Sequence, residues 1–119
     1  MKIAQMSLGF IEVPGQISLN IFVQGCKLNC QNCHSQKLRS FDGGIEFTTD
    51  DILQIILESK LSNWICWLGG DATNYPEELL EISKNVKLFN RFVCLYTGRE
   101  LDDISKEKYL HYIDLLKTG

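Results

Sequence analysis

The chain has 119 residues, 45% of them apolar, and a formal net charge of −3. That suits one small domain with a real core and gives no global attraction to nucleic acid or to an anionic membrane. No apolar run is long enough to span a bilayer, and the start, "MKIAQMSLGF", lacks the charged and apolar regions of a signal peptide, so a cytoplasmic location is expected. Five cysteines without a secretory signal read as thiols or metal ligands rather than as a disulfide framework.

Taken in chain order, "ISLNIFVQG" alternates Ile17, Leu19, Ile21 and Val23 on one face and reads as a mostly buried strand ending at Gly25. "GCKLNCQNCHS", residues 25–35, follows directly. "TTDDILQIILESK" reads as a helix, with Thr48 and Asp51 at capping-box spacing and Ile52, Ile55 and Ile56 on its apolar face. "WICWLGGD" is a buried strand stopped by two glycines. "PEELLEISKNVK" is a helix with Pro76 at its first position and Glu77 and Glu78 in its first turn. "RFVCLYTG" is a third strand, "DDISKEKYL" a short helix and "YIDLL" a fourth strand.

Alternating strands and helices imply an α/β fold of parallel βαβ units with right-handed crossovers. Chemistry in such folds gathers beyond the carboxyl ends of the strands. The unusual residues fall there: the cysteine stretch after the first strand, Gly69-Gly70-Asp71 after the second, Thr97-Gly98 after the third and Lys117 after the fourth. Their convergence on one rim is the main argument for a ligand site.

Cys26, Cys30 and Cys33 are spaced C-x3-C-x2-C. Soft thiolates suit zinc or an iron–sulfur cluster, and a closed structural site wants four ligands. His34, adjacent to Cys33, is awkwardly placed to join it on one ion. Cys66 and Cys94 lie inside apolar strand runs and are expected to pack as small hydrophobes. Three thiolates on a 4Fe-4S cluster would leave one iron open to a small molecule, whereas a non-enzymatic iron–sulfur or zinc module would need a further ligand.

C-x3-C-x2-C after the first strand of a βα protein resembles the radical S-adenosylmethionine (SAM) superfamily. "SLGFIEVPGQISLNIFVQGCKLNCQNCHSQKL" is similar to the activating proteins of anaerobic (class III) ribonucleoside-triphosphate reductase, as are "WLGGDA", "YTG" and "YIDLLKTG". The resemblance implies one radical SAM domain over residues 1–119. Its fold would be a partial (βα) barrel with a parallel sheet of about four strands, shortened at the C-terminus. Cys26, Cys30 and Cys33 would ligate a 4Fe-4S cluster. Asn32, His34, Gly69, Gly70, Asp71, Thr97 and Lys117 would bind SAM, with no catalytic side chain beyond the cluster ligands. For Gly69-Gly70 the plain alternative is a turn, for Asp71 a loop cap, and for Lys117 a solvated side chain. Asn32 stands where many relatives have an aromatic residue, and Ser35 where the family often has Asn. The implied activity is formation of a glycyl radical on the large subunit of the anaerobic reductase. Lys27, Lys37 and Arg39 form a basic run whose plain reading is a solvated loop; the functional alternative is a patch that steers an acidic flavodoxin or ferredoxin as electron donor. A radical SAM enzyme acting on another protein, peptide or metabolite is the alternative.

Overall fold

The computed structural model describes residues 1–25 and 43–119. One six-stranded sheet runs in the order β3-β1-β2-β4-β5-β6. Its members are β1 (Lys2–Gly9), β2 (Ser18–Val23), β3 (Ile45–Glu46), β4 (Trp64–Gly69), β5 (Phe92–Tyr96) and β6 (Leu115–Lys117). The helices are α1 (Thr49–Glu58), α2 (Pro76–Leu88) and the single turn α3 (Leu101–Ile104), with 3-10 turns at Ala72–Asn74 and Lys108–Tyr112.

β2, β4, β5 and β6 are mutually parallel, as the alternating pattern predicts. β1 and β3 are an addition that the sequence reading did not foresee: both pair antiparallel, β1 with β2 and β3 with β1. The reason is visible in β1. The register shifts between Ile3 and Gln5, so Ile3 is buried while Ala4 and Gln5 are both exposed. Such an irregularity breaks the two-residue period by which a strand is recognised. Two smaller corrections concern boundaries. The third helix is only one turn before a separate 3-10 turn, and the last strand starts at Leu115 rather than Tyr112. There Asp114 is committed as an anchor, accepting from the Val93 backbone at 2.8 Å and from Lys87 Nζ at 2.8 Å through each oxygen.

Alternation sends one set of side chains to each sheet face. Leu19, Ile21, Val23, Ile65, Trp67, Val93 and Leu95 join Ile52 and Ile56 of α1 and Leu79, Ile82 and Val86 of α2 in the main core. Helix α1 begins with the expected capping box: Thr48 Oγ1 accepts from the Asp51 backbone at 3.1 Å, and Asp51 Oδ2 accepts from the Thr48 backbone at 3.1 Å. The opposite face is thinner. Val13, from the β1–β2 connection, covers Cys66 and Cys94, with Trp64, Leu68, Tyr96 and Leu115 around them. Both cysteines are thus packed residues, as the apolar runs suggest.

The chain leaves the sheet at Gly25 and is described again from Gly43, beside Gln24. The Gln24 backbone N–H donates to Lys2 O at 2.9 Å. Gly44 has φ +77°, and a Cβ there would lie 2.8 Å from the Gln24 Cβ and 3.0 Å from Ile3 O. Only glycine closes that contact without strain.

Candidate functional site

Four parallel strands end on one rim, and backbone hydrogen bonds stitch those ends together. Gly69 turns the chain at φ +97°, where a Cβ would stand 2.7 Å from Val23 N and 2.8 Å from Val23 O. A side chain there would collide with the neighbouring strand, so glycine is required by the turn itself. The next amides reach across to the end of β2: Gly70 N–H donates to Val23 O at 2.7 Å and Asp71 N–H to Gly25 O at 2.9 Å. On the far side, Thr97 N–H donates to Lys117 O at 2.9 Å and Gly119 N–H to Arg99 O at 3.1 Å.

Asp71 is the hub. Its side chain is buried, and both oxygens are engaged. Oδ1 accepts from Thr73 N–H at 3.0 Å and Thr73 Oγ1 at 2.7 Å. Oδ2 accepts from Thr97 Oγ1 at 2.8 Å and Gly98 N–H at 3.1 Å. Four donors fill the acceptor capacity of a carboxylate. They cap the 3-10 turn Ala72–Asn74 and tie the end of β4 to the end of β5. Of the two readings left open by the sequence, the cap is the one these bonds describe.

Sequence reasoning missed the outer layer of this network. Arg99 Nε donates to Thr73 Oγ1 at 2.7 Å, and an Arg99 terminal nitrogen donates to Asn74 Oδ1 at 3.1 Å. The guanidinium therefore stands one hydroxyl away from the buried carboxylate, placing a positive charge where it offsets the negative one. Tyr75 Oη donates to Gln24 O at 2.8 Å, and Asn74 Nδ2 to Gly25 O at 3.4 Å. Burial pushes the Tyr109 hydroxyl up to about 12, with Glu107 and Asp71 acting in the same sense and Arg99 against it. The only sequence signal for Arg99 is its place directly after Thr97-Gly98.

The structure thus brings Gly69, Gly70, Asp71, Thr97 and Lys117 to the expected rim. Thr97 spends its hydroxyl on Asp71 and on the Arg99 backbone N–H at 3.1 Å. Lys117 is exposed, with Nζ 5.0 Å from the centre of the Tyr96 ring. Cys26, Cys30, Asn32, Cys33 and His34 lie outside the described residues. Two cavities of about 410 and 420 Å³ border α2 and the 3-10 turn Lys108–Tyr112, and none of the expected site residues lines either.

Residues 13–119 match the 4Fe-4S single cluster domain. The chain belongs to that family. Membership bears out the radical SAM resemblance. The chain is 33% identical over 86 residues to the pyruvate formate-lyase-activating enzyme of Clostridium pasteurianum, covering 68% of this chain and 36% of the relative. It is 28% identical over 117 residues to the anaerobic ribonucleoside-triphosphate reductase-activating protein of Enterobacteria phage T4, covering 92% of this chain and 74% of the phage protein. A pyruvate formate-lyase-activating enzyme of Listeria monocytogenes is 29% identical over 92 residues, 77% of this chain and 36% of that one. The chain therefore spans little more than a third of the pyruvate formate-lyase-activating relatives and about three quarters of the phage protein.

The residues present fit an iron–sulfur group by donor chemistry. Three soft thiols occur in one short stretch. That stretch begins at Gly25, whose carbonyl is held at the rim by Asp71 and Asn74. No helix among the described residues is long and apolar enough to cross a membrane.

Proposed function

We propose that this 4Fe-4S single cluster domain is a radical SAM activase that generates a glycyl radical on anaerobic ribonucleoside-triphosphate reductase. The observation that carries the reading is the origin of the cysteine stretch: it leaves the sheet at Gly25, on the rim where the ends of β2, β4, β5 and β6 are tied together. The similarity to the phage T4 activating protein over most of both chains favours this reductase over other partners.

Cys26, Cys30 and Cys33 would hold the cluster, and the four parallel strands would form the partial (βα) barrel beneath it. When bound, a reduced 4Fe-4S cluster supplies the single electron that splits SAM into methionine and a 5′-deoxyadenosyl radical. The chain's own contribution is orientation. In this reading Asn32 and His34 would bind the adenine end of SAM, and Gly69, Gly70, Asp71 and Thr97 would shape the seat for the methionine end. Because its carboxylate is saturated, Asp71 acts on that seat by fixing Gly98 and the 72–74 turn. Lys117, exposed beside Tyr96, is available to the methionine carboxylate. The partner's glycine-bearing loop would complete the site and exclude water. An acidic flavodoxin- or ferredoxin-like protein would deliver the electron, in the cytoplasm.

The test is electron paramagnetic resonance on anaerobic protein mixed with reductant, SAM and the large reductase subunit carrying deuterated C-terminal glycine. A protein-centred doublet with deuterium in 5′-deoxyadenosine is expected. SAM cleavage without doublet or deuterium transfer would move the assignment to a radical SAM enzyme with another substrate, and pyruvate formate-lyase is then the next partner to add. Zinc instead of iron in anaerobically purified protein would overturn both.

A further inference from the structure

The two cysteines that this function does not use are partners in the sheet. Cys66 of β4 and Cys94 of β5 stand in direct register on adjacent parallel strands, and so share one face. Both are completely buried as free thiols, and each thiol is the other's strongest electrostatic neighbour. Neighbouring strands lie about 4.8 Å apart, within the Cα separation of about 4.4–6.8 Å that a disulfide spans. We infer that Cys66 and Cys94 form a redox-active dithiol that a small peroxide converts into an intramolecular disulfide joining β4 to β5.

The two sulfurs are not equivalent. Interaction with the Cys66 thiol holds the Cys94 thiol below its ordinary range, against burial and with help from the Lys117 ammonium. The same interaction, then burial, pushes Cys66 up. Cys94, on the strand that pairs with β6 and its Lys117, is the attacking sulfur in this scheme and Cys66 the resolving one. In the first step the Cys94 thiol takes one oxygen from hydrogen peroxide, giving a sulfenic acid and one water. In the second, the Cys66 sulfur displaces the sulfenic hydroxyl and its proton leaves with it as the second water. The peroxide gains two electrons and the dithiol loses two.

Size selects the oxidant. Val13 roofs the pair. Its loop is held by the Glu12 carboxylate on Asn20 Nδ2 at 2.5 Å and by Tyr96 Oη donating to Glu12 O at 2.6 Å. Displacing one valine side chain admits a peroxide but not a glutathione-sized disulfide. The bond would sit at the short end of the allowed Cα window, so a dithiol reductant reopens it. The inference is independent of the radical chemistry, since neither cysteine is assigned to the cluster or to SAM.

The experiment treats the folded chain with hydrogen peroxide, alkylates it in denaturant, digests it with trypsin and maps peptides by mass spectrometry. The Cys26→Ser/Cys30→Ser/Cys33→Ser variant, treated in parallel, removes the loop thiols as competitors. The expected product is peptide 61–84 linked to peptide 92–99, two hydrogens lighter than their sum and separated by dithiothreitol. In Cys66→Ala, Cys94 should stop at a sulfenic acid that dimedone traps. Val13→Ala should speed linkage several-fold. Recovery of both peptides separately alkylated, or with Cys66 or Cys94 carried on to sulfonic acid, overturns the inference. The mapping on the unaltered chain decides even if a variant fails to fold.

Discussion

The parallel half of the sheet and its antiparallel extension are fastened by different means. Where β2, β4, β5 and β6 end, side chains do the joining: one buried carboxylate, two threonines and an arginine bridge segments far apart in sequence. Where β3 and β1 meet, the backbone ladder does it, with the chain terminus as a clamp. The Met1 ammonium lies 3.0 Å from Glu46 of β3 and 2.5 Å from Glu78 of α2. A ladder fixes strands but leaves the turns beyond them free to vary. A polar hub fixes the turns themselves, which is what a ligand seat at strand ends requires.

The sharpest way to break that distinction is Asp71→Ala. Four donors would lose their acceptor in a buried setting, at a cost of about 4 kcal/mol, read by urea denaturation. Hydrogen exchange should rise at Gly98 and Thr73 while β1 stays protected. Equal loosening of both halves would show that the hub is not specific to the rim.

Gly69→Ala tests the same rim through the backbone. A Cβ meeting Val23 atoms at a positive φ should cost about 3 kcal/mol, and SAM binding by calorimetry should fall with it. Unchanged stability would mean that the turn can relax, and Gly69 would lose its explanation.

Thr48→Ala is a comparison outside the rim. Loss of the α1 cap should cost about 1 kcal/mol, with cluster content and SAM affinity unaltered. A drop in either would show that the helix entry is coupled to the site.

The smallest effect separates the halves by pH. Burial disfavours the Met1 charge, but its hydrogen bonds to Glu78 and Glu46 prevail and raise the ammonium above its ordinary 8.0. Its contribution is complete below pH 8.0 and fades as pH climbs through the raised value. Tyr109, raised from 10.0 to about 12, keeps its contribution to about pH 10 and loses it toward 12. Stability should therefore decline in two stages, with protection of β3 lost before that of the 3-10 turn around Tyr109. A single transition, or a flat profile from pH 8 to 12, would remove the distinction.

What the sequence made legible follows from the range of the forces involved. The parallel strands were readable because apolar runs stop at glycines and alternate with capped helices. Thr48 and Asp51 announced α1 because a capping box is local. β1 was not readable, since its irregularity hides the alternation and its pairing is antiparallel across a turn with no tight-hairpin signature. At the rim, the positions of Gly69, Asp71 and Thr97 were legible from strand ends. The bonding of Asp71 to Thr97 was not, because it joins residues across two strands and an intervening helix. Arg99 carried no motif at all. The cysteine triplet was the clearest chemical signal and Cys66–Cys94 among the faintest, because register between strands is not written in either strand alone.

The meeting of Gln24 and Gly44 at the sheet gives the domain a port with both jambs in place. Gly25 is held by Asp71, and Gly44 sits against Gln24 and Ile3. The strands on either side of residues 26–42 thus keep their register through backbone contacts of their own.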